Sequence, residues 1–346
     1  MAVTIKEIAS LANVSRGTVD KVLNNRPGVK ESTKKKILKI AEELNYQPNI
    51  IGKALVRSKD PIRIGIILTP DYNPYIQELL HGIQTAQKEF APFGLEVIAK
   101  LMTTLEPQEQ LTIIDELVNS SVQGMAIFPT NAPQVIDRVN QLIQGQMAVI
   151  TFNSKVDGIR HLAFIGQNHY KGGRTAASLL GKIVPAPVRA GVIISSSNLS
   201  CHHDRLSGFQ DKLSEAYTDA LILDVQENQD RKEDAFRITL EYCNRYPDLN
   251  AIYLTSGGIA GVCSALDVAE KRGTVKVICH DLPPETLNLL NSGQIDFALG
   301  QNPEQQGYQL VKVLFEYLIK NITPNNEIEI PITIAIDELA YQSRFL

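Results

Sequence analysis

The chain has no tryptophan, and its 346 residues carry only four cysteines, four methionines and 6% aromatic side chains. The thiols at Cys201, Cys243, Cys263 and Cys279 lack metal-ligand spacing and lie in or beside apolar segments. They read as reduced core cysteines, which argues against a disulfide framework or a zinc module. No apolar run approaches the ~20 residues needed to span a bilayer. The N-terminus lacks a basic-then-apolar signal segment, so a cytoplasmic location is expected. Three catalytic signatures are also missing: the G-x-S-x-G elbow, the G-x-G-x-x-G fingerprint and a Walker lysine. Neither a cofactor nor a metal is expected, and the chain does not read as an enzyme.

What is present suits a folded protein of two or three domains, with 44% apolar and 21% charged residues. The charge is unevenly placed. Through Asp60 there are 12 basic and 6 acidic residues, a net of +6, and the remainder has 22 basic against 32 acidic, a net of −10. A basic head on an acidic body concentrates attraction for phosphate at one end.

The head carries helix grammar. Thr4 and Glu7 form a T-x-x-E capping box, so a helix should start near Ile5, with Ile5, Ile8, Ala9 and Ala12 on one face. Asn13-Val14 makes a turn, and Ser15 caps a second helix whose Val19, Val22 and Leu23 point inward. That leaves Arg16, Gly17, Asp20 and Lys21 outside. Arg16 suits bidentate contact with guanine and Lys21 suits guanine or phosphate, while Ser15, Thr18 and Asn24 can bond phosphates. Arg26-Pro27-Gly28 precedes a third helix over about 31–44, where Lys30 stands in place of a usual cap. The two short helices across a tight turn form a helix-turn-helix.

The run V-T-I-K-E-I-A…V-S-x-x-T-V…V-L-N…L-N-Y-x-P-N closely resembles the DNA-binding head of the lac repressor (LacI/GalR) family. The resemblance implies base reading by Arg16, Gly17 and Lys21 and contacts to DNA from Thr4, Asn49 and Lys53. It also implies a hinge helix over 50–56, with Leu55 as an apolar wedge in the operator's minor groove. Gly52 weakens that helix, which suits a segment that folds on DNA.

From Ile62 the pattern changes to apolar runs of buried parallel-strand type, at 63–68, 95–101, 124–129, 147–152, 190–195, 221–225, 251–255, 275–279 and 297–300. Helical stretches lie between most of them, and the alternation breaks near 166–170 into two sets. The expected fold is an all-α helix-turn-helix headpiece (1–48), a hinge and linker (49–60) and a two-lobed α/β body (61–346) with two Rossmann-like parallel sheets. The body resembles the periplasmic sugar-binding fold of the same family, whose lobes are joined by three crossings. On that pattern lobe one would be about 61–166 and 296–324, and lobe two about 167–295 and 325–346.

Ligands bind at the carboxyl ends of such strands. Those ends supply Thr69, Asp71 to Tyr75, Asn153, Ser195 to Ser197, Thr255, Ser256, Asp281 and Gln301, with Arg205 joining from a helix. The resemblance places the family's effector arginine at Arg205 in R-x-x-G, its pocket aspartate at Asp281 and its glutamine at Gln301. Asn73, Tyr75, Asn153 and Ser256 complete the candidate set, and His202-His203 read as loop residues at the cleft mouth. Guanidinium, carboxylate and amide groups together suit a polyhydroxylated ligand: a monosaccharide, cyclitol or nucleoside. The expected function is repression of carbohydrate-utilisation genes by a homodimer, or a higher oligomer, on a pseudo-palindromic operator of double-stranded DNA. A sugar-responsive activator or a protein-binding sensor is the alternative, with an enzyme fused to a DNA-binding head a distant third.

Overall fold

Thr4 Oγ1 accepts the Glu7 N–H at 3.3 Å, and Glu7 Oε2 accepts the Thr4 N–H at 2.7 Å. This reciprocal box opens α1 (Ile5–Ala12), which is followed by α2 (Arg16–Leu23) and α3 (Glu31–Glu43). The computed structural model describes residues 3–23, 27–44, 46, 61–71 and 74–338. Asn13 takes a left-handed φ of 56°, turning the chain between α1 and α2. Lys30 stands at the N-cap of α3 and makes no side-chain cap bond, as its chemistry dictates. Ile8, Val19 and Ile37, all fully buried, form the centre of the head with Ala9, Ala12, Val22 and Ala41 around them. The expected hinge helix, with Asn49, Lys53 and Leu55, lies outside the described residues, as does Asn24.

The first lobe alternates β1 (Ile62–Leu68), α4 (Pro74–Phe90), β2 (Leu95–Leu101), α5 (Pro107–Asn119), β3 (Gly124–Ile127), α6 (Pro133–Gln144), β4 (Ala148–Phe152) and β5 (Ala163–Gly166). The second runs through α7 (His169–Ile183), β6 (Arg189–Ile194), α8 (Ser200–Ala216), β7 (Leu221–Glu227), α9 (Lys232–Arg245) and β8 (Ala251–Leu254). It continues with α10 (Ile259–Val268), β9 (Lys276–His280), α11 (Pro284–Asn291) and β10 (Phe297–Gly300). Last come α12 (Pro303–Lys320), β11 (Glu327–Glu329) and β12 (Thr333–Ala335). Each lobe holds a six-stranded sheet, ordered β11-β5-β4-β3-β1-β2 and β12-β10-β9-β8-β6-β7. All described pairings are parallel except β10 with β12.

The inner strands β3, β4, β5 and β8 are buried along their whole length, which is why they read as unbroken apolar runs. Helices cover both faces, so each sheet has two apolar clusters. In lobe one, Leu79, Ile83, Leu314 and Phe315 seal one face, and Ile114, Leu117 and Val139 the other. Tyr242, Val262 and Leu266 do the same on one side of lobe two, facing Leu180 and Phe209 on the other.

Two expected boundaries are corrected. Strand β10 does not return to lobe one: Phe297 pairs with Ile278 of β9 in the second sheet, and it is α12 that packs on lobe one. Conversely, β11 belongs to lobe one, pairing Glu327 with Phe164, and only β12 reaches the second sheet. A short apolar run reads alike in either sheet, because pairing partners far along the chain decide where it lies. The three crossings therefore fall at 167–168, 301–302 and 330–332.

Candidate functional site

On the head, Arg16, Gly17 and Lys21 are exposed along the outer face of α2 while Val19 and Val22 face inward. Ser15 Oγ accepts the Thr18 N–H at 3.1 Å and meets Thr18 Oγ1 at 2.9 Å, so both side chains are engaged in capping α2. Thr4 is likewise held by Glu7. An exposed face of a second helix, with a guanidinium in its first turn and an ammonium in its last, can enter a major groove and meet base edges.

In the body, bonds among the described residues join the lobes across the cleft, three of them from residues 198–201 at the start of α8. The Asn131 N–H donates to Asn198 O at 2.9 Å, Ser200 Oγ donates to Lys155 O at 2.8 Å, and the Cys201 N–H donates to Ser154 Oγ at 3.3 Å. Between the lobes lies a cavity of about 30 Å³ lined by Thr69, Tyr75, Phe128, Asn153, His202, Arg205, Asp230, Asp281 and Gln301, among others.

The fold presents these groups for local reasons. Gly173 of α7 and Gly208 of α8 let the two helices touch backbone to backbone, which places Arg205 at the end of the cavity. Arg205 is 2% exposed; its Nη1 donates to Thr255 O at 2.6 Å, while Nε and Nη2 have no partner. Asn153 and Asp281 each directly follow a strand, β4 and β9, in left-handed conformation, at φ 57° and 68°. Gln301 Nε2 donates to Asp281 Oδ1 at 2.7 Å, and Gln301 Oε1 and Asn153 Oδ1 are buried without a partner. Tyr75 is buried and its hydroxyl donates to Gln306 Oε1 at 3.0 Å. Its neighbour Asn73 lies outside the described residues.

The electrostatics follow from burial. Asp281 is raised to about 6 by burial, against the opposing pull of Arg205 and the Gln301 bond. His169, His202 and His280 are pushed well below the ordinary histidine value, first by burial and then by the Arg205 charge. His169 Nε2 therefore carries the proton it donates to Asn153 O at 2.7 Å, leaving Nδ1 bare.

Several placements differ from the sequence reading. Ser256 is buried but does not line the cavity, because its Oγ donates to Asn228 Oδ1 at 2.9 Å. His202 is not a loop residue at the mouth: α8 starts at Ser200, and His202 is buried against the cavity with Nδ1 2.9 Å from Thr255 Oγ1. His203 is exposed. Asp230 was missed because β7 runs to Glu227, two residues beyond the expected end, so its strand-end polar cluster was not counted. Asp230 accepts from Ser195 Oγ at 2.7 Å and from the Gly257 N–H at 2.6 Å.

Residues 4–49 match the model of bacterial regulatory proteins of the lacI family, and residues 64–321 match the periplasmic binding protein domain. The chain is a lacI-family regulatory protein with a periplasmic-binding-protein body. The regulator is 46% identical over 91 residues to a probable HTH-type transcriptional repressor ExuR of Bacillus subtilis, a match covering 25% of this chain and 27% of that one. It is 25% identical over 298 residues to the HTH-type transcriptional regulator MalR of Streptococcus pneumoniae, covering 84% and 86% of the two chains. The regulator's body shares the fold of GanP, a glucose-galactose binding protein from Geobacillus stearothermophilus. That likeness has a TM-score of 0.74 at 20% identity and covers 81% of this chain and 98% of GanP. Among the described residues of the regulator, no helix is long and apolar enough to cross a membrane.

Proposed function

We propose that this regulator represses carbohydrate-utilisation genes in the cytoplasm, as a homodimer whose operator affinity is set by a polyhydroxylated effector bound between the lobes. One observation carries the effector class. Arg205 Nε and Nη2, Asn153 Oδ1 and Gln301 Oε1 are unpartnered and buried around one interlobe cavity. Adjacent donors on a guanidinium match vicinal oxygens, and the two amide oxygens and the Asp281 carboxylate accept from hydroxyls. Asn153, Tyr75, Arg205, Asp281 and Gln301 form the proposed pocket, joined by His202 and Asp230, while Ser256 supports the loop behind it. The likeness to ExuR, a probable transcriptional repressor, and MalR, a transcriptional regulator, supports the regulatory role, and that to GanP, a glucose-galactose binding protein, supports a sugar-type effector.

A cavity of about 30 Å³ has room for about two waters and none for a sugar ring. Entry of an effector requires the lobes to part, breaking the bonds at Asn131, Ser200 and Cys201. On the head, Arg16 and Lys21 read bases, Gly17 lets the backbone approach the groove, and Thr4, Ser15 and Thr18 bond phosphates. Lobe one leads directly to the head, so rotation of the lobes moves the two heads of a dimer relative to one another. Effector and operator affinities are then linked by the same factor in both directions. The regulator acts by binding and does not turn over its effector.

The test is a thermal-shift screen of the full chain against pentoses, hexoses, cyclitols and nucleosides, followed by footprinting with the compounds that bind. A bound sugar that changes occupancy of a pseudo-palindromic site over a promoter is the expected result. Binding by none of these classes, or turnover of a bound compound, would sink the proposal. Enhanced transcription on occupancy would favour the activator reading.

A further inference from the structure

The side chain of Gln167 bridges the three chain crossings. Gln167 occupies the first crossing, between β5 and α7, and is 3% exposed. Its Nε2 donates to Gly300 O at 2.8 Å, where β10 enters the second crossing, and to Pro331 O at 3.1 Å, in the middle of the third. A primary amide has two N–H donors, so one side chain bonds both other crossings at once.

We propose that Gln167 is the positioning residue that sets the angle between the lobes. Rotation of one lobe on the other must be absorbed by backbone changes in all three crossings, since each runs from one sheet or its helices to the other. The two acceptor carbonyls, of Gly300 and Pro331, are 31 residues apart in sequence, and rotation displaces them by different amounts. A side chain that needs both at about 3 Å makes one lobe angle a discrete minimum. Backbone pairing adds to the set: the Ile330 N–H donates to Gly166 O at 2.8 Å, tying the first crossing to the third. Gln167 brings in the second. Its Oε1 is buried without a partner, an acceptor free to hold a different arrangement.

The clamp adjoins the cavity. Gly300 precedes Gln301, whose amide donates to Asp281, and His169, two residues after Gln167, bonds Asn153 O. Any ligand that pulls on Gln301 or Asn153 therefore acts on residues next to the clamp. The inference goes beyond the proposed function, because it concerns the lobe angle of the free protein and holds whatever the effector is.

The experiment is hydrogen exchange by mass spectrometry on the ligand-free full chain and on Gln167→Met, which keeps the length of the side chain and removes both donors. Exchange over 164–169, 297–302 and 328–334 should rise together by about tenfold, the effect of losing two buried hydrogen bonds locally. Peptides from β3 and β8 in the lobe centres should keep their protection. A rise confined to 164–169 would show a local role only, and an equal rise in β3 and β8 would show general destabilisation; either overturns the proposal. Gln167→Asn, shorter by one methylene, decides the matter where Gln167→Met does not fold: the same three segments should respond by a smaller factor.

Discussion

A Cβ placed on Gly173 would lie 1.9 Å from the carbonyl oxygen of Arg205, and one placed on Gly208 would lie 2.0 Å from that of Tyr170. The R-x-x-G pattern thus has a mechanical meaning. Gly208 is the contact that presses α8 onto α7, and Arg205, one turn earlier, is the side chain that this contact aims into the cavity. Gly173→Ala should push the helices apart at a cost of about 1–3 kcal/mol. Urea unfolding should show that loss, and calorimetry with a sugar identified by thermal shift should show at least tenfold weaker binding. Unchanged affinity would mean that helix contact does not position Arg205.

Asp281 gives stability a pH dependence of known sign. Its folded value of about 6 lies above the ordinary 3.8, so between pH 4 and 6 the folded protein keeps a proton that the unfolded chain has released. Stability therefore falls as pH rises through that window and levels off above it, with Asp281 contributing about 3 kcal/mol. Glu78, raised to about 7 by burial and then by Asp281 and Glu304, extends the fall toward neutrality. Urea titrations at pH 4, 5, 6 and 7 should show a flatter profile for Asp281→Asn; an identical slope in the two proteins counts against this account.

Arg16→Ala should weaken operator binding and relax preference at one base position, by about 1–3 kcal/mol of discrimination. Lys21→Ala should lower affinity and reduce the salt slope where it meets phosphate. Competition binding against single-base operator variants separates the two. Uniform weakening by Arg16→Ala across all variants would assign that residue to the backbone.

Gly17 lies on the exposed face of α2, and an added Cβ there would meet only Ser15 Oγ, at 3.8 Å. Alanine should therefore stabilise the head by up to about 1 kcal/mol. If the backbone at Gly17 approaches DNA closely, the same change should lower operator affinity. Thermal unfolding and operator titration of Gly17→Ala should move in opposite directions, and joint improvement would show that the groove does not come close.

Local physical chemistry made much of this molecule legible from the residues alone. The Thr4–Glu7 box, the Asn13 turn and the Val19–Val22 stripe depend on neighbours within a few positions, so the first two helices of the head were readable, whereas Leu38, expected in the core stripe of α3, is exposed. The unbroken apolar strands, recurring between helices, indicated two parallel sheets, and their carboxyl ends pointed to Asn153, Asp281 and Gln301. Tertiary structure alone decided what depends on partners distant in the chain. It placed β10 in lobe two and β11 in lobe one through pairings with Ile278 and Phe164. It turned Ser256 toward Asn228, carried His202 and Asp230 to the cavity, and brought Gly300 and Pro331 within reach of Gln167. Periodicity records which face of an element is buried, but not which distant segment buries it, and the hinge of this protein is made of such distant contacts.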